Sequence, residues 1–454
     1  MIIVTETAAA LKGFIAKTQL NGLARMMVLR MSLVFMARHG RMSCSQAAGS
    51  VASESIHRGE LTRFLARPRW QSLNFNDPLR DLLLQRESRR GKFIFLIDAT
   101  LVSQAGKKTQ NTYSTGNRGR RPAKGRRYNK KKVVFKKCHS FTFGLLLTPS
   151  GIRIPFQVPH HTLEYCAQHG LTHRTTAEAA ADMIRALPLP AGAEVVVMGD
   201  TAYDAQVIRD ACDARGYVWI FPANPERVYE GPKGRRPQLR SRLKDWQRLS
   251  LATIRLRAST GKYAKYRRLS RWRVGPKMKP RVYYAHQEIR EVRSVGRVQL
   301  VFSTIKPNLS QATPDDVKIL MTNALKLSVR EVIELYSLRW QIELFFKELK
   351  STLGFSQYSF QSFQAVRAWV EIAITTVLFL EHWRAERMRD RRLCKADRQW
   401  WEYQRLHGLC AAYRQECSRR ELKFMANRLK TSGGTAKLKR LLTQALPVEY
   451  RIAS

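Results

Sequence analysis

The stretch Ser328–Gly354, SVREVIELYSLRWQIELFFKELKSTLG, decides how the rest of this chain is read. Ser328 followed by Glu331 three residues on is a capping box, which predicts a helix start. Apolar residues then recur at helical spacing, so one face belongs in a core. At about 100° per residue, Tyr336, Arg339, Glu343 and Lys350 share roughly a 60° strip, with Lys347 beside it. The plain interpretation is a solvated face with the pairs Arg339–Glu343 and Glu343–Lys347, each worth a few tenths of a kcal/mol. Yet Tyr336 and Trp340 flank a face that should then be polar, and the cations outnumber the one acid. A lone carboxylate among cations suits an anionic ligand together with a metal ion. Glu343 would bind the metal, and Arg339, Lys347 and Lys350 would hold phosphates.

The rest of the chain supplies a reason for an anionic ligand. Its 454 residues include 81 Lys and Arg against 35 Asp and Glu, a formal charge of +46. Such a chain repels itself unless a polyanion neutralises it, and nucleic acid is the expected polyanion. A hydrophobic share of 44% excludes disorder throughout. An anionic membrane is the rival partner, but the longest apolar run, Ile372–Leu380, is about half a spanning length, so no membrane is expected. The seven cysteines are scattered without a C-x-x-C pair, which fits reduced thiols in a cytosol. MIIVTETAAALKGF carries Glu6 and no basic leader, a poor secretion signal. The composition predicts a cytoplasmic protein that binds DNA or RNA, and says nothing of chemistry.

Patterning divides the chain as follows. Residues 1–90 read as helical. Residues 91–221 begin with a strand, KFIFLI, ending at Asp98, followed by the runs SFTFGLLLT and GIRIPFQV, which Pro149-Ser150-Gly151 joins as a hairpin. A helix over 175–187, the strand EVVVMG ending at Asp200, a helix TAYDAQVIRDACDARG and the strand YVWIFP come next. This alternation predicts a mixed sheet with helices packed on it. Residues 222–325 read as a β-rich insertion, 326–385 as a return to helix, and 386–454 as a last helical, basic segment.

Asp98 and Asp200 each follow a short apolar strand, where α/β sheets place ligand sites. On adjacent parallel strands they would reach a common hard cation such as Mg²⁺. The plain alternative is that each caps a turn or the next helix. Asp204, one turn into the predicted helix, competes as second carboxylate. At this point the pattern Tyr336-x2-Arg339-x3-Glu343-x6-Lys350, with Asp98 in IDAT and Asp200 in VVVMGD, resembles the DDE transposases of the insertion-sequence-four family of bacterial mobile elements. The resemblance covers roughly residues 91–385; one departure is Thr201, where many members carry a basic residue.

The resemblance implies an α/β, ribonuclease-H-like catalytic core with a β-rich insertion between the second Asp and the Glu, flanked by helical domains. It implies two Mg²⁺ ions (Mn²⁺ as substitute) held by Asp98, Asp200 and Glu343, with Tyr336, Arg339 and Lys350 on DNA-end phosphates. It further implies cut-and-paste strand transfer through a hairpin, on terminal inverted repeats and target DNA in a bacterial nucleoid; because two ends must be cut together, a homodimer is expected, with the helices from about residue 386 as its surface.

Two acid-free stretches fit DNA backbone tracking. One contains Lys107, Lys108, Arg120, Arg121, Arg126, Arg127 and Lys131; the other contains Trp272, which could stack on an unpaired base but reads more simply as sheet core. A disordered basic loop and an ordinary exposed sheet face are the plain alternatives. The group HHTLEYCAQHGLTH has His169 and His173 four apart, but Gly170 interrupts the helix and zinc is not expected. Two rival functions stay open: a nuclease without strand transfer, and a non-catalytic nucleic-acid binder.

Overall fold

The computed structural model describes residues 6–37, 58–66, 74–88, 91–104, 108–116, 135–231, 234–242, 250–257, 280–306 and 316–430, with single positions 106, 263, 266, 433 and 436 between and beyond them. The chain forms two compact units: Leu84–Ser103 with Asn111–Phe346, and Met1–Leu83 with Gln104–Gln110 and Lys347–Ser454.

The first unit is built on one ten-stranded sheet in the order β2-β3-β1-β5-β6-β10-β9-β8-β7, with β4 paired to β3. Its strands are β1 (Phe93–Gln104), β2 (Tyr113–Gly116), β3 (Phe135–Leu147), β4 (Arg153–Pro159), β5 (Val195–Met198), β6 (Val218–Pro222), β7 (Ala252–Leu256), β8 (Arg281–Val292), β9 (Gly296–Thr304) and β10 (Lys318–Thr322). β1, β5 and β6 are parallel neighbours, and β10 returns antiparallel to β6. All four residues of β5 are buried, as expected of a central parallel strand covered on both faces. The hairpin at Pro149-Ser150-Gly151 forms as read, with β3 antiparallel to β4 and Gly151 at φ 88°, a conformation that favours glycine.

β1 does not stop at Asp98. The strand continues through ATLVSQ, where Thr100 and Val102 are buried and Leu101 is exposed, so β-branched residues alternate across the sheet and sustain pairing. β7 to β10, expected in a β-rich insertion, extend the same sheet. Helices α5 (Leu163–His169), α6 (Thr176–Arg185, started by a Thr175/Glu178 capping box) and α7 (Gln206–Ala214) belong to this unit. α6 packs on β3 and α7, and α7 packs on β6. The single helix expected from Thr201 begins instead as a 3-10 turn, Thr201–Tyr203, so Asp204 precedes α7.

The helix expected from Ser328 is also divided, into α8 (Val329–Tyr336) and α9 (Trp340–Thr352) around a 3-10 turn, Ser337–Arg339. The Ser328/Glu331 capping box forms. The Ser337 hydroxyl donates to the Glu334 carbonyl at 2.6 Å, a local bond of the kind that loosens and bends helices.

The second unit contains α1 (Glu6–Ile15), α2 (Gly22–Ala37), α3 (Arg58–Ala66), α4 (Asp77–Leu84), α10 (Phe363–Arg389), α11 (Lys395–Glu402) and α12 (Leu406–Leu429). α10 is its axis, packed by α1, α2, α3, α11 and α12. By length and composition α10 could cross a membrane, but 83% of its most apolar window is buried inside the protein. Trp369 is fully buried, edge-on to Phe35 at 5.0 Å, and Phe14 meets Phe379 at 5.7 Å. Within this core Asn76 donates to the Glu371 carboxylate at 2.6 Å and accepts from Thr375 at 2.8 Å.

Candidate active site

Parallel pairing of β1 with β5 matches Phe93 to Val195 and Leu96 to Met198. The same offset carried onward sets Asp98 beside Asp200, on the same face of the sheet. The chain thus brings together two carboxylates about a hundred residues apart through strand register alone. Asp98 Oδ1 accepts the Ala99 N–H at 2.8 Å. Asp200 Oδ1 accepts the Ala202 N–H at 2.9 Å and caps the 3-10 turn, so the capping role weighed from sequence is real for this residue. Its Oδ2 makes no hydrogen bond among the described residues.

Gly199 allows the chain after β5 to pass close to Tyr203 and Phe221. A Cβ at that position would lie 2.9 Å from Tyr203 Cβ and 3.2 Å from the Phe221 ring. The Tyr336 hydroxyl donates to the Gly199 carbonyl at 3.4 Å, next door to Asp200.

Glu343 arrives from α9, whose first turns are held against the sheet. Phe345 and Phe346 pack on Phe143 of β3 at 6.2 and 5.4 Å, and Gln341 donates to the Tyr266 carbonyl. Glu343, about half a turn from Phe345, is partly open to solvent, with 31% of its side chain exposed. Arg339 forms a close ion pair with Glu343, and its Nη1 lies 3.9 Å from Asp98 Oδ2. One guanidinium therefore bridges two of the three carboxylates.

The electrostatics agree with this grouping. Burial pushes the Asp98 carboxyl up to about 6, the charges of Asp200 and Glu343 add to the rise, and the Ala99 N–H and Arg339 oppose it. Burial likewise lifts the Tyr336 phenol to about 12, so at neutral pH it is a hydrogen-bond donor.

Asp204, the competing carboxylate, is spent elsewhere. It is buried between Arg209, in a close ion pair, and Arg227, with Nη2 2.6 Å from Oδ2. A carboxylate neutralised twice in a buried network is a structural tie, not a ligand in waiting. The histidine group does not converge on a metal either. His160 is buried against Thr142, while Tyr165 stacks on His161 at 5.4 Å and on His169 at 4.0 Å.

Lys347 and Lys350 follow Glu343 on α9, within the part counted in the helical unit. Lys347 is exposed; Lys350 is half-buried, and burial lowers its ammonium below the usual lysine range. Lys108 is exposed. Lys107, Arg120, Arg121, Arg126, Arg127, Lys131 and Trp272 lie outside the described residues.

One cation was missed in the sequence. Lys318 begins β10, and its Nζ lies 4.5 Å from the centre of the Tyr336 ring. No local pattern points to it, because only the antiparallel pairing of β10 with β6 brings this strand start to the Asp200 edge.

The oxygen-only donor set of Asp98, Asp200 and Glu343 suits a hard divalent cation such as Mg²⁺. In this arrangement Arg339 occupies the place of positive charge, and among the described residues no three His, Cys, Asp or Glu side chains are gathered closely enough to hold a metal. The chemistry of the ligands fits, and the Arg339 guanidinium lies between Glu343 and Asp98.

Residues 156–379 match the family model of the transposase DDE domain. The match supports a DDE transposase. Its span, just under half of the chain, includes Asp200, Arg339 and Glu343 and begins after Asp98, whose place rests on the β1–β5 register. Among curated proteins none matches the chain. A transposase DDE domain implies an enzyme that acts on DNA, consistent with a mixed α/β unit whose two aspartates share a register at the sheet edge beside Arg339.

Proposed function

We propose that this DDE transposase cuts and joins DNA at the ends of an insertion sequence, with Asp98, Asp200 and Glu343 as its catalytic carboxylates. The observation that carries the reading is the bridge made by Arg339 between Asp98 and Glu343, beside Asp200. The strand order β4-β3-β1-β5-β6 supports a ribonuclease-H-like core, with β7 to β10 added at its far edge.

In the first step, water attacks the phosphorus at the element's end and the bond to the 3′ oxygen breaks. The water proton is lost, the leaving oxygen is protonated, and a 3′-hydroxyl and a 5′-phosphate result. In the second step that 3′-hydroxyl attacks another phosphodiester, either on the opposite strand to give a hairpin or on target DNA, and displaces the 3′ oxygen there. A pair of Mg²⁺ ions held by the three carboxylates would supply charge stabilisation for the attacking and leaving oxygens.

The protein's own groups do the rest. Arg339 exchanges Glu343 for a DNA phosphate as the strand arrives, which frees the carboxylate at the moment it is needed. Tyr336 donates a hydrogen bond to a phosphate oxygen, and Lys347 and Lys350 hold the strand further along α9. Cutting two ends together calls for two copies of the chain, with the helices from about residue 386 as the joining surface.

The test compares wild type with Glu343→Gln on duplex DNA carrying the repeats that flank the gene, with Mg²⁺. Nicking should fall by at least about a thousandfold in the variant while DNA affinity is kept. Equal nicking by both proteins would remove Glu343 from the chemistry, and joining to an added plasmid separates a transposase from a nuclease.

A further inference from the structure

β10 runs antiparallel to β6, with Leu320 opposite Pro222 and Thr322 opposite Ile220. Its first residue therefore lies just past the ends of β5 and β6, beside the part of β1 that follows Asp98. Along that edge come Asp98 from β1, Asp200 after β5, the end of β6, and then Lys318. Ile319, Leu320, Met321 and Thr322 are all buried, whereas Lys318 is exposed, so the side chain stands where the strand emerges from the core.

The ammonium lies over the Tyr336 ring at 4.5 Å, and the Tyr336 hydroxyl reaches the Gly199 carbonyl. An ammonium held on a ring face is directed by it, which restricts a flexible lysine to one side of the site. Among the described residues Lys318 forms no ion pair, although Asp200 and Glu343 are near enough to favour its charge. Loss of hydration, and next the charge of Arg339, lower the ammonium from the usual lysine range. A cation kept from its own carboxylates beside a carboxylate cluster is placed for an anion that enters with the substrate.

We infer that Lys318 is a phosphate-binding residue of this active site, holding the DNA strand on the β10 side of Asp200 while Arg339 holds it on the Asp98 side. The inference rests on the transposase reading, since the anion is the phosphodiester of the strand being cut. Two cations flanking the carboxylates would fix the scissile phosphate along the sheet edge, a matter of positioning that controls rate steeply. A packing role is the alternative, in which the methylene stem merely covers the tyrosine ring.

The full-length protein with Lys318→Met separates the two, because methionine keeps an apolar stem over the ring and loses the charge. Affinity for the flanking-repeat duplex is measured at several salt concentrations without divalent cation, and nicking is measured with Mg²⁺. Loss of one phosphate contact should reduce the slope of log affinity against log salt by about 0.9. Nicking should slow about tenfold or more, and Lys318→Arg should restore both readouts. An unchanged slope, or weaker affinity at constant slope, overturns the inference, since lost packing releases no counterion. If Lys318→Met fails to fold, Lys318→Gln repeats the measurement. Absence of nicking by wild type would sink the transposase reading, whereas the salt slope would still decide whether Lys318 meets a phosphate.

Discussion

Asp98 and His160 show what burial does to single ionisable groups with opposite consequences. Asp98, pushed up to about 6 mainly by burial, holds its proton more readily than an ordinary aspartate even with Arg339 3.9 Å away. His160 is 5% exposed, bonded through its ring to Thr142 and through its carbonyl to Asn111 Nδ2 at 2.8 Å. Burial lowers its imidazole from 6.5 to about 4, and the charge of His173 adds to the effect. The folded protein thus disfavours the proton that the unfolded chain accepts. Stability from this residue is complete above about pH 6.5 and is lost as pH falls towards 4, by about 2 kcal/mol at pH 5. His160→Gln should shrink the drop in thermal midpoint between pH 7.5 and pH 5; an equal drop in both proteins would place the acid sensitivity elsewhere. At this scale the helix motif was legible, because Tyr336, Arg339 and Glu343 recur at a spacing that needs no tertiary knowledge. Between Asp200 and Asp204 the sequence favours Asp200 by its place directly after a strand, and the fold adds Arg209 and Arg227, which neutralise Asp204.

Elements hold the site through close packing. Gly144 of β3 faces Phe95 of β1, where a Cβ would come within 2.1 Å of the ring. Phe95 is fully buried and sits three residues before Asp98, so displacing it moves the strand that carries the first carboxylate. Gly144→Ala should cost about 1–3 kcal/mol by overpacking. It should also slow nicking beyond what reduced folding explains, measured as the rate per folded molecule; a variant as stable as wild type would show that the ring yields freely. The succession of strands and helices along β1 to β6 and the mixed character of the sheet followed from period and punctuation. The full length of β1 and the break between α8 and α9 did not. The first depends on a partner strand to pair ATLVSQ, and the second on Ser337 bonding the backbone in place of the helix ladder.

Over the whole molecule, the excess charge of +46 is the largest physical fact. With 81 Lys and Arg against 35 Asp and Glu, binding to duplex DNA of arbitrary sequence should be dominated by counterion release. If about ten phosphates are neutralised, affinity should fall by several powers of ten between about 50 and 200 mM salt, read by fluorescence anisotropy of a labelled duplex. A nearly flat salt response would contradict a DNA partner held by its backbone.

By itself, the order of residues determined a basic chain that seeks a polyanion, an alternation of strands and helices around a mixed sheet, and a helix motif with one acid among cations. These depend on composition and local period, which neighbours in sequence define. Tertiary structure alone decided that Asp98 and Asp200 share one register, that Asp204 is neutralised, that Arg339 stands between two carboxylates, and that Lys318 joins them from an antiparallel strand. Each of those follows from pairing between segments far apart in the chain, and no local pattern encodes a partner that distant.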